Sequence, residues 1–240
     1  MAMARAALES LLRAKKLDLT LTTSQPWVVE PEDRVAATGI PEIDGPLGGG
    51  LRRGHLSEIV GPRSSGRTTV LCRMFAAATT RGEVVALIDS CDRFDPSSAA
   101  AAGVDLTRLL WIRERGDPAR ALKALNLVVQ AGGFGVVAFD LADVPAMAVR
   151  QFPYTTWMRL SRVIEGSQTA LVLLGPGRIA RSPAGVTVAL EHAGGSSSRW
   201  VGASERARFL AALRIQPRIV GIQNSERRIR TWNVYEDPHL

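Results

Sequence analysis

Short apolar runs alternate with segments of helical periodicity over the first three quarters of the chain. Runs rich in Val, Ile and Leu predict five buried strands, at 55–60, 83–89, 109–112, 135–141 and 168–175. The intervening polar-apolar patterns predict helices at 70–78, 95–102, 117–131 and 154–165. Asp95 and Asp117 are typical helix N-caps, because each is followed by a proline that suits the first helical turn. This alternation predicts an α/β fold with a mostly parallel central β-sheet flanked by helices.

The pattern changes after position 175. Clusters of Gly, Pro and Ser there flank two further predicted strands, at 185–192 and 209–219. The sequence therefore predicts three parts: an N-terminal helix and extended linker at 1–35, a core at 36–222, and a basic-aromatic C-terminal tail at 223–240.

The N-terminal segment has helical propensity and an apolar stripe formed by Leu8, Leu11 and Leu12. A helix of this length is marginal alone, so we expect it to dock on another surface. Two arrangements stay open: the three leucines pack on a neighbouring subunit or partner, or the helix folds back on its own domain.

One loop has the composition of a phosphate-binding loop, between a predicted strand and a predicted helix. Its glycines, spaced G-x-x-x-x-G, permit a close approach of the backbone to a phosphate, and the N–H groups of residues 64–69 would surround the anion. The candidate nucleotide-binding residues are Gly61, Ser64, Ser65, Gly66, Arg67, Thr68, Thr69 and, at the end of the fourth predicted strand, Asp140. Thr68 and Asp140 would also hold Mg²⁺ if a magnesium nucleotide binds.

Ligands of parallel sheets bind at the carboxyl ends of the strands. Asp89, Asp140 and the loop at 61–69 all follow predicted strands, so we expect them to meet at one edge of the sheet. Arg67 stands where such loops have lysine, and its planar guanidinium is bulkier than an ammonium. The residues alone leave two possibilities open. The loop binds ATP and Mg²⁺ weakly, or it binds no nucleotide at all.

The composition of the chain indicates in which cellular compartment we expect the protein. No apolar run is long enough to span a bilayer, and no signal-peptide pattern is present at the start. Cys72 and Cys91 form no disulfide or metal-binding pattern, so we expect a cytoplasmic protein without a membrane partner.

The net charge of +7 is unevenly distributed. Residues 175–230 contain ten arginines and three acidic residues, a net +7, so the rest of the chain sums to zero. A basic segment of this kind favours phosphates or an acidic partner, although a generally basic surface would give the same composition.

The run around the loop resembles the core of the RecA recombinase family. The similarity lies in Thr38-Gly39, Asp44, Leu47 to Leu51, Gly54, Glu58 to Pro62, Ser64 to Gly66 and Thr68-Thr69. It continues through Leu87 to Asp89, Phe94 to Pro96, Gly103 to Asp105 and Val136 to Asp140, and covers about residues 36–175. The resemblance implies a RecA-like core and an ATP site at the loop.

Four departures from the RecA pattern argue against efficient turnover. Cys91 stands where the resemblance places the glutamate that activates water, and Ser98 stands where an aromatic ring stacks on adenine. Pro176 falls at the γ-phosphate-sensing glutamine, and Arg67 replaces lysine. Loss of a general base alone lowers a rate by about 10²–10⁴-fold. Asp92 is a weak candidate for a substitute base.

A shortened RecA-like chain of this kind resembles the ImuA family of bacterial mutasome accessory proteins. That resemblance implies a role in SOS-induced mutagenic translesion DNA synthesis, with a Y-family-like polymerase partner of the ImuB type, and with RecA and DNA as further candidate partners. Nucleoid association would follow from those contacts. The alternatives are an active DNA-dependent ATPase that forms filaments and, more distantly, a cell-division regulator.

The resemblance also suggests where DNA and partners would bind. RecA-like folds carry DNA-binding loops in the basic segment, so the candidate DNA-binding residues are Arg178, Arg181, Arg199 and Trp200. Trp200 is also compatible with a core or hinge position, which the sequence slightly favours. The candidate partner-binding residues are the three N-terminal leucines and Arg227, Arg228, Arg230 and Trp232 in the tail, since arginine and aromatic side chains are common interface anchors.

Overall fold

The computed structural model describes residues 34–180, 185–192, 198–201, 209–220, 226–228 and 232–236. The strands are β1 (Val35–Ala36), β2 (Leu51–Arg52), β3 (Leu56–Val60), β4 (Val85–Asp89), β5 (Leu109–Arg113), β6 (Val136–Asp140), β7 (Ala170–Gly175), β8 (Thr187–His192), β9 (Ser198–Val201), β10 (Phe209–Val220), β11 (Glu226–Arg228) and β12 (Trp232–Glu236). The helices are α1 (Pro41–Leu47), α2 (Arg67–Thr80), α3 (Pro96–Ala101), α4 (Pro118–Ala131), α5 (Ala146–Arg150) and α6 (Tyr154–Ile164), with a 3₁₀ turn at Leu106–Arg108.

The main sheet has the strand order β11-β10-β8-β3-β7-β6-β4-β5, and β9 and β12 also pair with β10. Neighbouring strands from β8 to β5 run parallel, whereas all pairs that involve β10 are antiparallel. Strands β1 and β2 form a separate small antiparallel sheet. The predicted α/β class, with a mostly parallel sheet flanked by helices, is confirmed.

The central strands are buried on both faces. Successive residues of β4 enter different hydrophobic clusters: Leu87 belongs to one, with Phe75 of α2, and Ile88 to the other, with Leu160 of α6. Alternation of side chains across a strand explains why these segments are continuously apolar in sequence.

Local sequence signals account for the helix starts. The Asp95 carboxylate accepts hydrogen bonds from the Ser97 and Ser98 N–H groups, and α3 begins at the following proline. Asp117 caps α4 in the same way. Helix α2 differs, because its N-cap is Gly66, which has no side chain to donate or accept. The first N–H groups of α2 therefore have neither an intrahelical nor a side-chain acceptor.

The structure differs from the sequence-based picture mainly near its ends and in short elements. The segment at 223–240 contributes β11 and β12 to the main sheet, through pairing with β10, although the sequence predicts a tail there. The alternating run from Trp232 to Glu236 suits a strand once β10 offers an edge. The short elements α1, β1, β2, β9 and α5 were not predicted.

No helix in the described ranges has the length and apolar character needed to cross a membrane.

Candidate phosphate-binding site

The carboxyl ends of the parallel strands bring the expected residues together. Asp89 of β4 is the register partner of Asp140 of β6, and Asp140 is the partner of Leu174 of β7. At the end of β3, Gly61 donates its N–H to the Gly175 carbonyl at 3.2 Å. The loop at 61–66 and both acids thus lie at one edge, as the sequence predicts.

The loop backbone has the conformation that a tight phosphate-binding turn requires. A Cβ on Gly61 would lie 2.5 Å from Ser65 Oγ and 2.6 Å from the Leu190 carbonyl oxygen, so only glycine fits there. Gly66 has φ of 85°, and Ser64 adopts φ of 58° although it carries a side chain. Non-glycine residues in this region cluster at functional sites.

Two polar atoms at this loop are buried without a partner. Ser65 is 1% exposed and Arg67 is 8% exposed, and neither Ser65 Oγ nor Arg67 Nη1 has a hydrogen-bond partner. Burial lowers the pKa of the Arg67 guanidinium, while the charges of Asp140 and Asp143 oppose that effect. A buried, unpaired donor costs about 1–3 kcal/mol. Both atoms thus lie at the loop without an acceptor or donor among the described residues.

Asp140 is the second unusual ionisable group. Burial raises its pKa to about 6, and the neighbouring charge of Asp89 adds to the rise. A hydrogen bond from the Ala142 N–H, at 2.8 Å to Oδ1, and the charge of Arg67 act in the opposite direction. The carboxylate is therefore costly to ionise even with the charge of Arg67 nearby, and a bound metal cation would lower that cost.

The residues fit the phosphate part of a magnesium nucleotide. The N–H groups at the start of α2, the Arg67 guanidinium and the Ser65 hydroxyl would hold the phosphates. Thr68 is exposed in the first turn of α2, and its hydroxyl with the Asp140 carboxylate would hold the metal. Bound Mg²⁺ would supply charge neutralisation for the phosphate oxygens. The Ser65 N–H itself donates to the Pro62 carbonyl at 3.2 Å.

The position of the expected catalytic base holds no suitable group. Burial, with the charges of Asp143, Asp140 and Asp89, raises the pKa of the Cys91 thiol, which keeps it neutral. Asp89 is 1% exposed and accepts hydrogen bonds from the Cys91 N–H, the Phe94 N–H and the indole N–H of Trp111. Asp89 thus shapes the turn after β4.

The Asp92 carboxylate is already paired with the side chain of Arg113. Both of its carboxylate oxygens accept from the Arg113 guanidinium, at 2.7 and 3.0 Å, and Arg113 stacks 4.5 Å over the Trp111 ring. The hydrogen bond from Arg113 lowers the pKa of Asp92. A carboxylate held in this way is a poor proton acceptor, so the structure gives no support to Asp92 as a substitute base.

Two features of the site are absent from the sequence-based picture. An ion pair joins Arg63 in the loop to Asp143 after β6, with 2.8 Å between Nη2 and Oδ1. In the middle of β3, Glu58 is 2% exposed, and Oε1 accepts from the Ile179 and Ala180 N–H groups at 2.7 and 2.6 Å. An acid inside an apolar strand is the signal that could have identified Glu58.

Glu58 fixes the chain that leaves β7. Its second oxygen, Oε2, accepts from the Thr187 hydroxyl at 2.9 Å, so one carboxylate joins β3, β8 and the segment after β7. That segment carries Arg178, which is exposed. Glu58 therefore links the strand before the phosphate loop to a candidate DNA-binding residue.

The other candidate binding residues are spread over the sheet. Arg199 and Trp200 lie on β9, Arg227 and Arg228 on β11, and Trp232 on β12, all strands that pair with β10. Strands β3 and β8 separate β10 from β7, after which Arg178 lies. The remaining candidates lie outside the described residues: Leu8, Leu11, Leu12, Arg181 and Arg230. DNA and partner binding by these residues stays a prediction.

Comparison with known proteins supplies the family. Residues 28–151 match the family model described as the RecA N-terminal domain. The chain belongs to this RecA family. Its relatives include Protein RecA of Chlorobium chlorochromatii, 40% identical over 105 residues, of Symbiobacterium thermophilum, 40% over 107, and of Kineococcus radiotolerans, 37% over 113.

These matches cover 43–47% of this chain and only 30–32% of each relative. The matched segment therefore spans about a third of the length of these RecA proteins. The family match contains the whole loop, Asp89 and Asp140, so the carboxyl edge described above lies within the shared region.

Proposed function

We propose that this chain is a RecA-like accessory protein that binds a nucleotide through its phosphates and hydrolyses that nucleotide slowly or not at all. The observation that carries the proposal is the contrast within one site. The loop keeps its tight backbone and unpaired buried donors at Ser65 and Arg67, whereas Cys91 is neutral and Asp92 is paired with Arg113.

Binding and turnover depend on different parts of such a site. Backbone N–H groups and a guanidinium attract phosphate without any proton transfer. Hydrolysis also needs a group that accepts a proton from water, within hydrogen-bond reach of it. Nothing in the described part of the site supplies that group, so a bound nucleotide would act as a structural ligand.

The biological setting that fits this chemistry is DNA repair. We propose that the chain acts in SOS-induced translesion synthesis, as the resemblance to the ImuA family suggests, with a Y-family-like polymerase as its main partner. RecA and DNA are further proposed partners. The excess of arginine after position 175 supports an acidic or phosphate-bearing partner.

A steady-state ATPase assay with single-stranded DNA tests the catalytic half of the proposal. We expect phosphate release at the background rate, both for the unmodified chain and for Asp140→Ala. Turnover that depends on DNA and disappears in Asp140→Ala would instead support the DNA-dependent ATPase alternative. Equilibrium binding of a fluorescent ATP analogue with Mg²⁺ tests the binding half, and its absence would refute it.

A tagged pull-down from cells after DNA damage tests the role through partners. Recovery of a Y-family-like polymerase supports the proposal, and recovery of cell-division proteins without any polymerase contradicts it.

The salt dependence of DNA affinity tests direct DNA binding, since each phosphate contact contributes to the slope. We expect Arg178→Gln with Arg181→Gln to reduce the slope by about two. Arg52→Gln with Arg162→Gln is a charge-matched control, because both arginines are exposed and precede β3 and β7 at the opposite edge. Equal effects of the two pairs would exclude a role for the segment after β7.

A further inference from the structure

Arg63 occupies the tip of the phosphate loop and is paired across the site. Its side chain is 83% exposed, and its Nη2 lies 2.8 Å from Oδ1 of Asp143, whose side chain is 27% exposed. Arg63 follows β3 and Asp143 follows β6, so the ion pair spans the carboxyl edge over the intervening strand β7.

The same ion pair lies beside the buried cation of the site. The charges of both Arg63 and Asp143 influence the pKa of Arg67, as does that of Asp140. The four groups therefore form one constellation of two arginines and two carboxylates. In this constellation, Arg67 Nη1 and the neighbouring Ser65 Oγ are the buried polar atoms without partners.

We propose that Arg63 is a second phosphate-binding residue of this loop and that Asp143 inhibits binding by occupying its guanidinium. The proposal rests on the proposed binding of phosphates at the loop. A guanidinium can pair with a phosphate as it pairs with a carboxylate, through two parallel N–H bonds. A polyphosphate that enters the loop therefore exchanges places with Asp143 on Arg63. The ligand class is a di- or triphosphate. One phosphate would bind at the start of α2, and the neighbouring phosphate of the same ligand would bind Arg63.

The exchange is feasible because the contact is exposed. Exposed ion pairs contribute little free energy and are weakened by salt, so a ligand anion can displace the carboxylate. Arg67 differs in this respect, because its buried guanidinium cannot leave the site. The two arginines thus have separate roles: Arg67 is a fixed cation and Arg63 is a releasable one.

A double-mutant cycle tests the proposal, with inorganic tripolyphosphate as the probe and isothermal titration calorimetry as the measurement. We expect Asp143→Asn to tighten binding by about two- to five-fold, the equivalent of an exposed ion pair. Arg63→Gln should weaken binding, and the double variant should bind as weakly as Arg63→Gln alone. The gain from Asp143→Asn should shrink at high salt.

Asp92→Asn is the matched control, because it releases Arg113 from an ion pair at the same sheet edge without changing the loop. We expect it to leave the affinity unchanged. Circular dichroism should show that all the variants keep the fold, since within the described part of the chain the side chains of Arg63 and Asp143 hydrogen-bond only to each other.

The outcomes separate this proposal from the proposed function. If Asp143→Asn tightens binding equally in the presence and absence of Arg63, the carboxylate acts by general repulsion and the proposal is overturned. It is also overturned if Asp143→Asn has no effect while tripolyphosphate binds. If neither tripolyphosphate nor magnesium ATP binds any variant, nucleotide binding at the loop fails as well.

Discussion

Replacement of Asp140 by asparagine should stabilise the protein above pH 6. The folded state raises the pKa of Asp140 from 3.8 to about 6 through burial, so ionisation of the carboxyl opposes folding. Asparagine has nearly the same shape and keeps an acceptor for the Ala142 N–H, but it carries no charge to desolvate.

The magnitude follows from the size of the pKa change. A rise of about two units corresponds to about 3 kcal/mol of destabilisation by the ionised form, at about 1.4 kcal/mol per unit. The attraction between Asp140 and Arg67 is already contained in the pKa of about 6, so we expect a net stabilisation of about 3 kcal/mol. For a chain of this size that is about 6–12 °C in Tm.

The pH dependence of stability shows the sign of the effect of Asp140→Asn. Below pH 4 the carboxyl is protonated in both the folded and unfolded states, so Asp140→Asn and the unmodified chain should be equally stable. Between pH 4 and 6 only the unfolded state loses its proton, and the unmodified chain loses stability relative to the variant. Above about pH 7 the difference should be constant.

Thermal unfolding from about pH 2 to 8, followed by circular dichroism, measures this difference. Asp95→Asn is a control of opposite sign, because hydrogen bonds from Ser98 and Ser97 lower the pKa of Asp95. That variant should be less stable than the unmodified chain at pH 7 and equal to it in acid. A pH-independent effect of Asp140→Asn, or destabilisation at pH 8, would refute the reasoning.

Three further changes test other parts of the site. Glu58→Ala leaves the half-buried Ile179 N–H and the buried Ala180 N–H unpaired, and it should lower the free energy of unfolding in urea by about 3–5 kcal/mol. Glu58→Gln keeps an acceptor and should cost less than half of that, so equal costs would contradict the hydrogen-bond argument. Gly61→Ala should lower the free energy of unfolding by about 2–3 kcal/mol in the same assay, because its Cβ would lie 2.6 Å from the Leu190 carbonyl oxygen. An unchanged free energy of unfolding would show that the loop can shift. If the site lacks only a group that activates water, Cys91→Glu should raise ATP turnover by about 10²–10⁴-fold. Recovery of ATP turnover with Arg67→Lys alone would show that water activation is not the missing function.

Local sequence patterns were sufficient for the parallel part of the fold. Apolar runs of strand length, helices with Asp-Pro starts, and acids at strand ends depend on neighbours in sequence, so they predict β3 to β7 and the edge where Asp89 and Asp140 meet. The strands β11 and β12 were missed because they need β10 as a pairing edge, and no local pattern reveals that edge.

The side-chain partners at the site could not be predicted for the same reason. Glu58 and its N–H donors are 121 and 122 residues apart in sequence, and Arg63 and Asp143 are 80 apart. Both contacts exist only because β3 lies beside β7, and β7 beside β6, in the sheet. A residue type and its spacing indicate that an acid is unusual in a strand, but they do not name its partner.

The phosphate loop could be a working site or only a turn that the fold requires, and the energetics distinguish the two. A turn needs Gly61 and Gly66, but it does not need a buried guanidinium with an unpaired N–H or a carboxylate whose pKa is raised to about 6. Both features oppose folding, and an apolar side chain at 67 or an amide at 140 would remove them. An anion at the loop and a cation beside Asp140 would convert both into favourable interactions. We therefore infer that Arg67 and Asp140 serve a ligand, and that replacement of either should weaken phosphate binding without loss of the fold.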